Sequence, residues 1–293
     1  MITARSSSSR FGWLTLACAA LVFGAAAVSG IGVLSRGPGL LPTVVSTTIR
    51  GESVEWVTSG PYAFNAVRTV AEGVGWDWVT LVVAVPALVA CLGPVLRGSV
   101  GGRLAASGIV AYLFYQYLQY ALVWALGPLF PAYVILFPGA LWTLVGLVAS
   151  LVPDLTNRPW PPRYPRVGIS VLCGILALVL VVMWSARIAQ GLAGNVQGLL
   201  YGQTTLGVQA LDLGLVVPLA VWVAVQTLRR RPVALVFGPV LLGKAVFMAG
   251  AIVAMLLSAW VAEGRFEALP AGIFASAGLA SGVLGFRVLR SLK

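Results

Sequence analysis

Histidine is missing from the chain altogether. That one absence removes haem ligation through imidazole, histidine-bearing zinc or copper sites, and the serine-histidine-aspartate relay. Charge is scarce as well: 9% of residues are charged, against about 25% in a soluble domain. Acids are the rarer sign, with eight Asp and Glu against 19 Lys and Arg. The three cysteines, Cys18, Cys91 and Cys173, lie in separate apolar runs without C-x-x-C spacing, so neither a disulfide framework nor a metal site is indicated. There is no H-E-x-x-H, no G-x-S-x-G, no Walker motif and no pair of intramembrane aspartates, so no catalytic set can be named. No cofactor is expected.

What the chain has is apolar length. Of its residues 59% are apolar and its mean hydropathy is +0.97, the composition of an integral membrane protein. Eight runs can be cut from it by length and absence of charge: Phe11 to Leu34, Trp78 to Leu96, Leu104 to Leu126, Pro128 to Val152, Val167 to Ala186, Thr204 to Leu228, Val233 to Val261 and Leu269 to Leu289. The expectation is an all-α polytopic transmembrane bundle of about eight spans, one membrane domain over residues 1–293. The third and fourth runs are divided only by "LGPLFPA", a tight helical hairpin; the count falls to seven if that hairpin is re-entrant. The first run is longer than the core of a usual signal peptide and reads as a retained span.

Basic residues near span ends resist translocation and so report orientation. With the N-terminus inside, the cytoplasmic set is Arg5, Arg10, Arg97, Arg103, Arg158, Arg163, Arg166, Arg229, Arg230, Arg231, Arg287, Arg290 and Lys293; the outer set is Arg36, Arg50, Arg68, Arg187 and Arg265. Thirteen against five places both termini in the cytoplasm. The net charge of +11 is therefore a topology signal, with anionic lipid headgroups as its partner. Nucleic acid is not indicated, because the basic residues come in twos and threes without aromatic interleaving.

The largest outer loop, residues 35–77, contains "SGPYAFNAVRTVAEGVGWDW". Ser59 and Pro61 signal a helix start, and Phe64, Val67, Val70, Ala71 and Val74 share one face, with Arg68 and Glu72 at i, i+4. This predicts a short amphipathic helix on the outer bilayer surface. Trp76 and Trp78 would mark the interface where the second span begins.

The third run is the least lipid-like: "AYLFYQYLQYALVW" holds four tyrosines and two glutamines. Such a helix must be covered by protein on several sides. Lys244, deep in "LLGKAVFMAG", costs at least about 2.5–3.5 kcal/mol at the bilayer centre and needs an interior partner. Asp212 is the acid placed well inside a predicted span, and Thr205, Gln209 and Asp212 fall at i, i+4 and i+7 on one helical face. The predicted site is one buried polar cluster between the third, sixth and seventh spans: Lys244, Asp212, Gln209, Thr205, Gln116, Gln119, Tyr112 and Tyr115. "GPVL" at 93–96 and again at 238–241 hints at an inverted repeat. Gly278 and Gly282 give the eighth span a small-xxx-small face.

The stretches "YLFYQYLQYALVWALGPLFPAYVILF" and "QALDLGLVVPLAVWVAVQTLRRRPVALVFGPVLLGKAVFMAG" resemble a family of bacterial multi-span inner-membrane proteins with no assigned activity. The resemblance implies an inner-membrane location, places Tyr115, Asp212, Pro218 and Lys244 within the family's patterns, and brings no reaction with it. Two functions stay open. The polar cluster lines a cavity for a small solute or ion, in a transporter, channel or membrane receptor; or it is packing glue in an accessory or assembly subunit of a membrane complex.

Overall fold

The computed structural model describes residues 3–35 and 41–292, so Arg36 and Lys293 lie outside the described residues. Helix α1 (Thr3–Leu34) is followed by a two-stranded antiparallel hairpin, β1 (Thr43–Thr47) and β2 (Ser53–Val57). The remaining helices are α2 (Val67–Leu96), α3 (Val100–Val123), α4 (Phe130–Thr156), α5 (Arg166–Leu192), α6 (Gly207–Leu228), α7 (Ala234–Glu263) and α8 (Ala268–Ser291). Every one except α3 contains a stretch long and apolar enough to cross a membrane, seven in all among the described residues. In such runs the helix satisfies its backbone groups internally, which hydrocarbon cannot do for it.

Helix α3 is long enough, with 24 residues, but Tyr112, Tyr115, Gln116, Tyr117, Gln119 and Tyr120 make it too polar to face lipid. It is accordingly the most enclosed helix. Residues 106–113 are buried without interruption, between α2, α4 and α7. At its N-terminal end Arg103 is also buried, donating to the Ser150 carbonyl at 2.6 Å and to Asp154, with its guanidinium 4.7 Å from the centre of the Phe11 ring. The sequence places this arginine among headgroup-facing charges; it instead ties α3 to α4 and α1.

The segment expected as a surface helix is the first part of α2, continuous with the span below it. Its Val70, Ala71 and Val74 are buried, and Gly75 lets the α2 backbone meet that of α7 at Ala254. An apolar face of this width suits a bilayer surface or another helix, and periodicity alone does not choose between them. The same loop also holds the β-hairpin, which the sequence analysis does not predict.

The two halves of the chain follow one plan. In each, the first helix packs on the second and the third on the fourth: α1 on α2 and α3 on α4, then α5 on α6 and α7 on α8. The second helix of each half carries a five-residue π turn, Thr80–Ala84 and Asp212–Val216. A Val-Pro pair follows at Val85–Pro86 and Val217–Pro218, and the helix closes at Arg97 or Arg229. In each case the valine N–H reaches back five residues to the first carbonyl of the turn. The next residue is proline and donates nothing, so the wider turn absorbs the break. The next residue past the arginine is left-handed in both, Gly98 at φ 71° and Arg230 at φ 52°. The correspondence runs in parallel through these prolines, and does not follow the "GPVL" pair.

The halves meet where α3 crosses α7. A Cβ on Gly108 would stand 2.7 Å from the Gly243 Cα and 3.3 Å from the Lys244 nitrogen, so only glycine permits this approach. Gly108→Leu is expected to lower stability by about 1–3 kcal/mol through overpacking and to move α3 away from Lys244. Thermal unfolding in detergent checks this; a variant as stable as the parent would contradict the crossing.

Candidate functional site

Helices α2, α3, α5, α6, α7 and α8 line an open cavity of about 520 Å³, together with Leu199, Leu200 and Tyr201 of the loop before α6. That size is ordinary for a small-molecule site. Asp212 opens the π turn of α6 on its wall. One carboxylate oxygen accepts from the Tyr115 hydroxyl of α3, and the other accepts from the Trp184 indole N–H of α5 at 2.8 Å. Three helices therefore converge on one carboxylate. Lys244 arrives from α7 with its ammonium 4.1 Å above the centre of the Tyr115 ring, an attraction on the order of 0.5–2 kcal/mol. Tyr115 thus joins the acid to the base through its hydroxyl on one side and its ring face on the other.

A second polar network lies beyond Trp76. Asp77 of α2 is completely buried and accepts from the Tyr62 hydroxyl, with Gln116 and Tyr120 each at 3.4 Å. Thr80 opens the π turn of α2, as Asp212 opens that of α6; it stands 2.7 Å from the Tyr112 hydroxyl and donates to the Gln116 amide oxygen at 2.7 Å. The Trp76 ring divides the networks, 6.4 Å from Tyr112 and from Tyr115, and 5.7 Å from Tyr120.

The eight residues expected as one cluster are thus distributed. Lys244, Asp212, Tyr115, Gln119 and Gln209 line the cavity. Tyr112 and Gln116 belong to the Asp77 network. Thr205 is exposed and borders a separate recess, because α6 begins at Gly207 and leaves it off the helical face. Sequence reading missed Asp77, placing it in the outer loop with the flanking tryptophans as interface markers.

The rim of the cavity is held by charge. Arg68 pairs with Glu72 at 2.6 Å, with Glu263 at 2.8 Å and with Glu267 at 2.9 Å, tying α2 to α7 and to the turn into α8. The loop before α6 is held by Glu52 at the tip of the β-hairpin, 1% exposed. Its carboxylate accepts from four successive backbone N–H groups, those of Leu199, Leu200, Tyr201 and Gly202, at 2.9–3.2 Å. Left-handed φ values of 51° at Tyr201 and 77° at Gly202 help curl this segment into an anion-accepting nest.

Fold and site together define a multi-pass membrane protein of the helical-bundle class with buried polar residues. No family model, curated protein or solved structure matches the chain.

If Tyr115 holds Asp212 as described, Tyr115→Phe and Asp212→Asn will not be additive. A double-mutant cycle on unfolding in detergent is expected to give a coupling of about 0.6–2 kcal/mol. Strict additivity would mean that the two side chains do not act as a pair.

Proposed function

We propose that this chain is a single-domain protein of the bacterial inner membrane that crosses it eight times, with both termini cytoplasmic, and binds a small ligand in the cavity beside Lys244, as a transporter, channel or receptor does. The observation that carries the reading is the ammonium itself. Lys244 is half-buried on the cavity wall, and no described residue accepts a hydrogen bond from it. A lysine kept only as helix glue would be closed around by acceptors. Here the donor group faces space large enough for a ligand.

The threading rests on the 13 to five division of basic residues and on α3 being long enough to cross once it is wrapped by protein. The two π turns, each beside a proline, place adjustable backbone next to the polar networks, as π turns often do at functional sites. The packing of α8 favours this reading over that of an accessory subunit. The small-residue face of α8 is used within the chain, where Gly278 meets Ala249 of α7 at 2.9 Å from its Cβ position.

Single cysteines introduced into a chain lacking Cys18, Cys91 and Cys173 test both parts. A small permeant thiol reagent is expected to label Gln119→Cys and Gln209→Cys in the folded protein, while a chain keeping only Cys18 stays protected. An impermeant reagent on intact cells is expected to label Ser46→Cys and not Arg163→Cys. Protection of both cavity positions would remove the ligand site, and reversed labelling of the loop positions would remove the orientation.

A further inference from the structure

We propose that the ligand is a single-chain amphiphile taken from the bilayer: a compact oxygen-bearing head accepts hydrogen bonds from Lys244, and an apolar chain lies between α5 and α8. This rests on the reading of the cavity as a ligand site and specifies its substrate class.

The two buried charges differ in what they leave free. Both Asp212 oxygens are already engaged, by Tyr115 and Trp184. The Lys244 N–H groups have no described acceptor and only the Tyr115 ring beneath them. What the site offers a ligand is therefore donors, matching a carboxylate or carbonyl oxygen.

The aqueous route does not favour such a head. At the rim Arg68 is taken up by Glu72, Glu263 and Glu267 and Arg187 donates to the Leu199 carbonyl, so the charges that an entering head would meet first are already engaged. The loop before α6 is fastened by the four backbone bonds to Glu52.

The side wall has the opposite character. Helices α5 and α8 touch toward the inner side, where a Cβ on Gly168 would come within 2.8 Å of Leu284. Farther along, Leu176 and Leu180 of one and Phe274 and Ala277 of the other line the cavity. The outward faces of both helices are apolar and exposed, as at Leu178 and Leu279, so this seam borders lipid. Along α7 the cavity is lined from Leu241 to Leu256, roughly 22 Å at about 1.5 Å per residue. An elongated apolar slot with donors part-way along it suits a chain with one small head.

The test uses the full chain in phosphatidylcholine–phosphatidylglycerol vesicles with two tail-diazirine probes, a long-chain fatty acid and an isoprenoid benzoquinone, which distinguish a carboxylate head from a carbonyl head. At least one is expected to crosslink to α5 and α8, with labelling falling about tenfold in Lys244→Met and in Ala277→Trp, the latter blocking the seam while leaving Lys244 in place. Thermal unfolding of both variants shows whether they are folded, and Ala277→Trp decides the matter if Lys244→Met is not. Labelling that is undiminished in the folded variants would overturn the proposal. Lys244-dependent labelling by diazirine butyrate equal to that by the long-chain probes would overturn it too, and would leave the cavity as a site for a water-borne ligand. Should neither long-chain probe crosslink, the proposal falls, and the thiol labelling of Gln119→Cys and Gln209→Cys still judges the cavity on its own.

Discussion

A helix too polar for lipid has to be wrapped by other helices, and the architecture follows from that requirement on α3. Its tyrosines and glutamines cannot be left against hydrocarbon, where an unpartnered polar group costs several kcal/mol. Helices α2, α4 and α7 enclose it, α6 reaches it through Asp212, and the glycine crossing at Gly108 and Gly243 brings α7 close enough for Lys244 to lie over Tyr115. The other helices supply the apolar exterior. Their exposed leucines, valines and isoleucines are what a bilayer solvates.

The polar side chains of α3 fan across an arc rather than a line, and this explains why one predicted cluster is two. At about 100° per residue, Tyr115 and Gln119 lie toward one flank of the helix and Tyr112, Gln116 and Tyr120 toward the other. One flank faces α6 and the cavity; the other faces α2 and Asp77. Each flank meets a helix whose π turn begins with a polar residue, Thr80 in one half of the chain and Asp212 in the other. The same local device serves a sealed network in the first half and a cavity wall in the second. What differs is packing. Helix α2 closes on α7 at Gly75, whereas α6 stands off and leaves room.

The sequence made the class, the helix positions and the convergence of Lys244, Asp212 and Tyr115 legible, because long uncharged runs and lone intramembrane charges are signals that the bilayer itself imposes. It did not make Asp77 legible. That residue sits between two tryptophans, in the pattern of an interface, and only the packing of α2 on α7 turns the pattern inward. The pairing of Arg68 with Glu263 and Glu267, beyond its i, i+4 partner Glu72, and the seating of Glu52 were hidden for a different reason. Each joins residues far apart in the chain, Arg68 to Glu263 and Glu267, and Glu52 to residues 199–202. Local periodicity carries nothing about such contacts. Thr205 extends the helical face of Gln209 and Asp212 in sequence, but the helix starts two residues later and leaves it outside the site.

The central claim is that the Lys244 charge is balanced by Asp212 through Tyr115, with Asp77 belonging to a separate network. Unfolding of three variants in detergent tests it most directly. Lys244→Met should lose stability on the order of 1–3 kcal/mol by leaving Asp212 uncompensated. Adding Asp212→Asn should recover part of that loss, and adding Asp77→Asn should recover none. Recovery by Asp77→Asn, or no recovery by Asp212→Asn, would contradict the account.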